Sequence, residues 1–284
     1  MSLIQDYAKR IIKVLIYIED HIDEEITMND LAKVACHSPF HFHRIFQAIV
    51  GETVHKYVRR LRVEKAAGRL CYTNDPVTEI ALDASFETPS AFTRAFTQCM
   101  GKSPRNYRLL YKEVNRMNKK INNLPAIQPD AIQKLPELHL HFIRRHGNYT
   151  TSSREAWKAM VAFIHANKLD KSNMRYFSIS HDDPQITSED KLRFDACILT
   201  SQKIEETGGI GRQILKGGKY AIFTHKGPYD DLEVAIDRIF LKWLPESKDS
   251  FDGARSIFFE LFNVEYAGTA NEDKLITKIH IPVS

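Results

Sequence analysis

Ser38-Pro39-Phe40-His41-Phe42-His43-Arg44-Ile45-Phe46 is echoed fifty residues later by Thr88-Pro89-Ser90-Ala91-Phe92-Thr93-Arg94-Ala95-Phe96. Gly51 answers to Gly101 and Tyr57 to Tyr107 at the same shift. Each copy opens with a hydroxyl residue suited to capping a helix. A proline follows in the first turn, where its missing N–H costs nothing. On a wheel of about 100° per residue, Phe42, Ile45, Phe46 and Ile49 share one face. Phe92, Ala95, Phe96 and Cys99 share the matching face of the second copy, so both sets are expected to be buried. Phe40, His43, Arg44 and Gln47 point the other way, as do Ser90, Thr93, Arg94 and Thr97. A single outward arginine would read as ordinary surface. Two at equivalent points of a repeated unit suggest two reading heads for successive major-groove windows of DNA, roughly 34 Å apart. Arginine is the usual partner of guanine O6 and N7, and Thr or Gln can read other base edges.

The flanking sequence supplies the rest of each unit. Ile11, Ile12, Leu15, Ile16 and Ile18 recur at helical spacing, which predicts a helix from about Tyr7 to Ile22. Thr27 caps a short helix through Ala35, Ser38 caps the next, and Gly51 ends it. Thr53 to Cys71 reads as one long helix carrying Lys56, Arg59, Arg60, Arg62, Lys65 and Arg69. Between two reading heads it is a natural spacer, and some of these residues are expected to touch phosphate. Asn74-Asp75-Pro76 is a turn. Val77–Ala84 and Pro89–Met100 repeat the short-helix pair, and Ser103-Pro104 opens a last helix through about Val114.

The 284 residues are enough for two domains of ordinary size. The net charge of +4 is concentrated at the front, where residues 1–120 hold 19 Lys+Arg against 14 Asp+Glu. A basic leading part points to nucleic acid. Cys36, Cys71, Cys99 and Cys197 are scattered, so neither a disulfide framework nor a Cys-x-x-Cys metal site is indicated, and a reducing cytoplasm is the expected location. His37 and His41 could pair on a metal, but no acidic or thiolate partner lies nearby in sequence, so no metal is expected. No apolar run approaches the roughly 20 residues of a membrane span, and no membrane partner is expected. No pattern points to a cofactor. The Gly217-Gly218 pair lacks the Lys-Ser/Thr that a phosphate loop requires.

Helical periodicity stops after Val114. The expected division is a helical domain over residues 1–114, a polar linker over 115–130 and a second domain over 131–284. The second domain has its own echo at a shift of eighty. Gly147-Asn148-Tyr149 matches Gly227-Pro228-Tyr229, and Met160, Phe163 and Ile164 match Phe240, Trp243 and Leu244. Strand-like runs lie at His139–Arg145 and Lys219–His225, ahead of each Gly-x-Tyr. Two more follow each helical run: Arg175–Ser180 with Phe194–Thr200, then Ser256–Asn263 with Leu275–Val283. The pattern is β-α-β-β twice, and the fold class expected is α+β multidomain. In the run from Ser256 to Phe262, alternation puts Phe258, Glu260 and Phe262 on one face. A carboxylate between two aromatics on a buried strand needs compensation. A cationic ligand would provide it, with cation–π attraction in support. A neighbouring Lys, Arg or Tyr acting for structure alone would also provide it.

Two resemblances sharpen these readings. The stretch from Ile80-Ala81 through Phe86, Ser90, Phe92, Arg94, Phe96 and Gly101 to Ser103-Pro104-x-x-Tyr107-Arg108 resembles the signature of the AraC/XylS family of transcription regulators. That family has two helix-turn-helix units joined by a long helix, and the resemblance covers about residues 8–112. It implies double-stranded DNA as partner, RNA polymerase as a further one, and base contacts by Phe40, His43, Arg44 and Gln47 in the first unit and Ser90, Thr93 and Arg94 in the second. Phe40 and His43 are not the commonest reading residues. The second half resembles the GyrI-like effector-binding domain through His146-Gly147-Asn148-Tyr149, His181-Asp182-Asp183-Pro184, Arg193-Phe194-Asp195-Ala196, Lys216-Gly217-Gly218-Lys219-Tyr220, Lys226-Gly227-Pro228-Tyr229, Phe259-Glu260 and Ile279-His280-Ile281-Pro282. That likeness implies a cleft for small, often amphipathic or cationic molecules. It carries over Glu260 and Tyr149 as lining residues, with Tyr229 less firmly. Phe258 joins them from the alternation, and Trp157 and Phe177 are pocket candidates from pattern. The function implied is a sequence-specific transcription regulator that senses a small effector, and not an enzyme. The alternative is a GyrI-like hydrolase of reactive small molecules fused to a DNA-binding domain, with Glu260 as base and Tyr149 orienting.

Overall fold

The computed structural model describes residues 3–117, 123, 125, 127–205 and 209–284. Residues 118–122, 124 and 126 of the expected linker therefore lie outside the described residues. The chain forms two units, the first helical and built on residues up to Leu110, the second built on a sheet.

The helical unit runs α1 (Leu3–Asp20), α2 (Met28–Val34), α3 (Pro39–Val50), α4 (Val54–Tyr72), α5 (Val77–Asp83) and α6 (Pro89–Met100), followed by α7 (Pro104–Met117). The repeat is reproduced cap by cap. Ser38 accepts from the His41 amide ahead of α3, and Thr88 from the Ala91 amide ahead of α6. Gly51 and Gly101 end the two helices at φ +82° and +70°, which a side chain would resist. The tight turns from α2 to α3 and from α5 to α6 also match, through Cys36 and Ser85 at φ 53° and 55°. Inside, Phe42, Phe46 and Tyr57 stack edge to face with centroids 5.7 Å apart at each step. Phe92, Phe96 and Tyr107 repeat this at 5.5 and 5.4 Å.

The wheel needs one correction. Ile49 is 47% exposed, and its equivalent Cys99 is exposed as well. A wheel reports direction around an axis and not how far round it the neighbours extend. Val50 at the end of α3 still packs on the core, so the neighbours continue along the helix but do not reach round to Ile49.

Four of the six basic residues of the spacer helix α4 are held by protein groups. Arg60 is clamped between Glu52 and Glu64 at 2.7 and 3.0 Å. Arg69 pairs with Asp75 and Asp83, and Lys65 with Asp23. Arg62 donates to the carbonyls of Ile22 (2.9 Å), Ser85 (3.3 Å) and Glu24. These four side chains fasten the helices together. Lys56, at the start of the helix, remains exposed.

The sheet unit contains β1 (Ala131–Leu135), β2 (Leu138–His146), α8 (Tyr149–Ala166), β3 (Arg175–Ser180) and β4 (Arg193–Leu199). Its second half follows with β5 (Gly211–Leu215), β6 (Gly218–Lys226), α9 (Leu232–Arg238), β7 (Phe258–Phe262) and β8 (Ile276–Pro282). After α9 the chain continues through a π-helical turn, Ile239–Trp243. Each half is thus longer than expected by one leading strand. The leading strands are exchanged: the sheet order is β1-β6-β8-β7-β3-β4-β2-β5, so β1 edges the second half and β5 the first. β1 is almost wholly exposed along its length, which removed the apolar signal a strand usually gives.

The halves meet where β3 pairs antiparallel with β7, Phe177 standing opposite Glu260. Each is the third residue of its strand, so the same place in the duplicated pattern holds a phenylalanine in one copy and a glutamate in the other. The register then defines two faces. Ser178, Phe194 and Phe223 lie on the face that takes the helices: Trp157 Nε1 donates to Ser178 Oγ at 3.2 Å, and Trp243 packs on Phe223 at 5.0 Å. Phe177, Asp195, Cys197, Phe258, Glu260, Lys278 and His280 share the opposite face.

Gly217 turns the β5–β6 hairpin against the β1–β2 hairpin. A Cβ there would stand 2.7 Å from the Glu137 amide nitrogen and 2.8 Å from the Leu135 carbonyl oxygen, both backbone atoms that cannot swing aside. Gly217→Ala is therefore expected to destabilise the sheet unit by roughly 1–3 kcal/mol, the usual range for overpacking. Calorimetric melting of the full chain checks this, and an unchanged transition would contradict it.

Candidate functional site

Two groups of side chains stand out. The first belongs to α3 and α6. Burying Phe42, Ile45 and Phe46 turns Phe40, Arg44 and Gln47 to solvent, with His43 half-buried beside them. Phe40 is 75% exposed and sits under the Arg44 guanidinium at 6.0 Å, an aromatic held in water with no core to join. Burying Phe92, Ala95 and Phe96 does the same for Ser90, Thr93 and Arg94, all exposed. Thr93 and Thr97 turn their hydroxyls back onto the helix, donating to the Pro89 and Thr93 carbonyls at 2.9 and 2.7 Å. The histidines beside the first set pack as rings. His37 meets His41 edge-on at 5.0 Å, and both abut Tyr7. Among the described residues no group of three His, Cys, Asp or Glu is placed to hold a metal.

The second group lies on the face of the sheet away from the helices. Glu260, 8% exposed, is flanked by Phe177 across β3 and by Lys278 across β8. Its Oε1 accepts two bonds from Arg175, from Nε at 2.9 Å and from Nη2 at 2.7 Å. The same guanidinium lies 5.0 Å over the Phe177 ring. Phe258 stacks flat on His280 at 4.1 Å and 8°, completing an apolar floor beside the carboxylate. Compensation of Glu260 by a neighbouring arginine, one of the two options open from sequence, is what this structure holds. Arg175 was not anticipated. Arg175-x-Phe177 has the alternation of one face, but only the β3–β7 register brings that face to Glu260.

The remaining candidates do not join this group. Tyr149 packs on Phe194 at 6.1 Å, and its hydroxyl donates to the Asp182 carbonyl at 2.7 Å and accepts from the Asp182 amide at 3.0 Å. Phe194 alternates to the helix face, opposite to Glu260. The base-and-orienter pair expected for a hydrolase is therefore split across the sheet. Trp157 lies on the helix face too, bonded to Ser178 and 6.1 Å from Tyr176. The Tyr229 hydroxyl is buried without a hydrogen-bond partner among the described residues, and burial, then Glu272 and Glu265, push it up to about 12.

The first half of the sheet is braced by charge. Asp195 is fully buried and accepts from Arg144 (2.7 and 2.9 Å), His181 (2.7 Å) and Gln213 of the exchanged strand β5 (2.9 Å). Burial alone would raise its pKa, but Arg144 and His181 hold the carboxyl well below the usual range. Asp182 and Arg193 form a second buried pair at 2.6 Å.

Comparison with known proteins finds a match for each of the two domains. The GyrI-like small molecule binding domain family matches residues 131–284, more than half of the chain, and a helix-turn-helix domain matches residues 31–109. Over 106 residues the chain is 42% identical to YbfP, an HTH-type transcriptional regulator of Bacillus subtilis, covering 37% of this chain and 36% of that protein. It is 34% identical over 97 residues to the HTH-type transcriptional activator AarP of Providencia stuartii, covering 34% of this chain and 72% of AarP. It is 31% identical over 101 residues to the regulatory protein SoxS of Salmonella typhimurium, covering 35% of this chain and 94% of SoxS. The chain thus spans only about a third of the length of YbfP, while it spans nearly all of SoxS. No described helix is long and apolar enough to cross a membrane.

Burial lowers His280 to about 4; His146, at the exposed end of β2, is lowered by the partial desolvation of its ring and by Arg144 and Arg193. Each is neutral in the folded chain and takes up protons near 6.5 when unfolded. Their contribution is fully present above pH 6.5 and is lost as pH falls to about 4. For the buried His280 the loss is on the order of 3 kcal/mol, and for His146, which reaches the surface, it is smaller because solvent screens the charge. Melting temperature measured from pH 7 to 4 should fall, and His280→Phe, which keeps a ring stacked on Phe258, should flatten the fall. A pH-independent wild-type transition would contradict this.

Proposed function

Because the chain belongs to the AraC/XylS family of transcription regulators and to the GyrI-like small-molecule-binding family, we propose that it is a one-component regulator that couples the two activities in one polypeptide. Residues 1–114 bind double-stranded DNA and residues 131–284 bind a small cationic effector. The observation that carries the DNA reading is the duplicated presentation of Arg44 and Arg94. Each stands outside a helix whose inner face is locked by the same aromatic stack. Phe40, His43 and Gln47 in the first head, and Ser90 and Thr93 in the second, are different edges on one scaffold, so the two heads read different bases. An apolar ring such as Phe40 suits a thymine methyl, and arginine suits guanine. Lys56 contributes to phosphate contact. Arg60, Arg62, Lys65 and Arg69 hold the fold instead. RNA polymerase is the further partner that a transcription regulator of this kind requires.

The observation that carries the effector reading is Glu260. It is a buried carboxylate with an aromatic floor, compensated by a half-exposed arginine that can leave. A carboxylate so placed favours a cation over a neutral molecule, and Phe177 and Phe258 favour an apolar body. The sheet unit is read as a sensor, and not as an enzyme, because its carboxylate and the Tyr149 hydroxyl face different sides.

Two measurements test the reading. A duplex selected from random sequences by the wild-type chain serves as the specific site. Arg44→Ala and Arg94→Ala should each weaken binding to it by about 1–3 kcal/mol in fluorescence anisotropy, with smaller losses on random DNA. Equal losses on both duplexes would reduce the arginines to phosphate contacts. Glu260→Gln should weaken binding of hydrophobic cations in calorimetry and spare neutral analogues. Unchanged cation binding would make Glu260 structural.

A further inference from the structure

Resting on that effector reading, we propose that Arg175 is the resident occupant of the Glu260 site, and that the effector is a planar cation bearing N–H groups, of the amidinium or guanidinium class, that replaces it. Arg175 makes every contact such a ligand would make. Its Nε and Nη2 both donate to Glu260 Oε1, at 2.9 and 2.7 Å, and its plane covers the Phe177 ring at 5.0 Å. The two partners are unequally committed to the site. The Arg175 side chain is 50% exposed and that of Glu260 only 10%. A guanidinium already half in water can swing out and regain hydration, whereas the carboxylate cannot follow it.

Departure of Arg175 leaves Glu260 Oε1 without two charge-assisted hydrogen bonds. Lys278 stands opposite Glu260 on β8, but its ammonium is placed over the Phe262 ring at 5.2 Å. The incoming ligand therefore has to restore N–H donors as well as charge. A quaternary ammonium brings charge and apolar surface but no donor, and a buried oxygen left unsatisfied costs more than the charge recovers. An amidinium restores both bonds in one plane and covers the uncovered Phe177 face. Because Arg175 competes for the same oxygen, the affinity measured for any cation is reduced by the fraction of chains in which Arg175 is seated. Arg175 thereby sets the effector concentration at which the site fills.

The test uses the full chain and calorimetric titration with two cations of matched size, benzamidinium and phenyltrimethylammonium. The wild type should bind benzamidinium at least about tenfold more tightly. Arg175→Met, which keeps the apolar stem and removes the competitor, should tighten benzamidinium binding by about tenfold. Arg175→Lys keeps the charge but loses the planar fork, and should give a smaller gain; it also serves if the methionine variant fails to fold. Circular dichroism and binding to the selected duplex verify that each variant is intact. Unchanged or weaker benzamidinium binding by folded Arg175 variants would show that Arg175 is not a competitor. Equal binding of both cations by the wild type would overturn the N–H requirement. If neither cation binds any variant, the cationic-effector reading fails with it.

Discussion

The antiparallel pairing of β3 with β7 is the constraint from which the second unit follows. It joins two copies of one folding pattern across a local two-fold relation. Equivalent residues of the two copies therefore meet face to face. Two identical halves would place like against like at that seam. Here one copy has Phe177 and the other Glu260, and this divergence makes an asymmetric site out of a symmetric frame. A carboxylate at the centre of an eight-stranded sheet is costly unless a cation is near it. The start of β3 supplies Arg175 because Arg175, Phe177 and Ile179 are the side chains of that strand on the same face, and of these only Arg175 is a cation. The exchanged strands reinforce the seam. β5 belongs to the second copy in sequence, yet its Gln213 donates to Asp195 of the first. Each copy's edge is therefore closed by the other, which protects edges that would otherwise offer free pairing groups.

The helical unit solves the same problem of duplication differently. Its two copies are not paired through a sheet but strung on α4. Half-buried arginines do the joining. Arg62 binds carbonyls from the segment after α1 and from the α5–α6 turn, so both copies depend on one guanidinium. Arg108 does likewise at the other end of α4, donating to the carbonyls of Leu70 and Asp75. Backbone carbonyls are fixed acceptors, and an arginine with several bonded N–H groups transmits little freedom. Such a frame holds two reading heads in a set relation, which a DNA duplex of fixed pitch demands. The aromatic stacks beneath α3 and α6 serve the same end within each head.

The two units place their charge differently in relation to stability. In the helical unit the ion pairs lie around half-exposed surfaces and act as fasteners. In the sheet unit Asp195, Arg144, His181, Asp182 and Arg193 are buried together, so removing any one leaves a partner uncompensated. That concentration stiffens the first half of the sheet. The Tyr229 hydroxyl, without the partner that Asp182 provides for Tyr149, marks the second half as the less committed of the two.

Much of this was legible from the amino-acid order because it is local. Caps, prolines, glycines and the alternation of Phe258, Glu260 and Phe262 act within a few residues, so they specified both helix-turn-helix units, their outward residues, the principal strands and the duplication of each half. The sequence by itself thus determined which way most of these side chains point from their own backbone, and that the carboxylate would need compensation. Only the tertiary structure decided which cation answers it, since Arg175 and Glu260 are 85 residues apart and meet through strand register alone. It also decided that Arg60, Arg62, Lys65 and Arg69 bind protein groups, that Ile49 lies beyond its packing partners, that β1 and β5 change halves, and that Tyr149 and Glu260 lie on opposite faces. Each of these depends on where distant segments come to rest. A periodic pattern encodes the direction of a side chain from its own backbone, but not the neighbour it finds there.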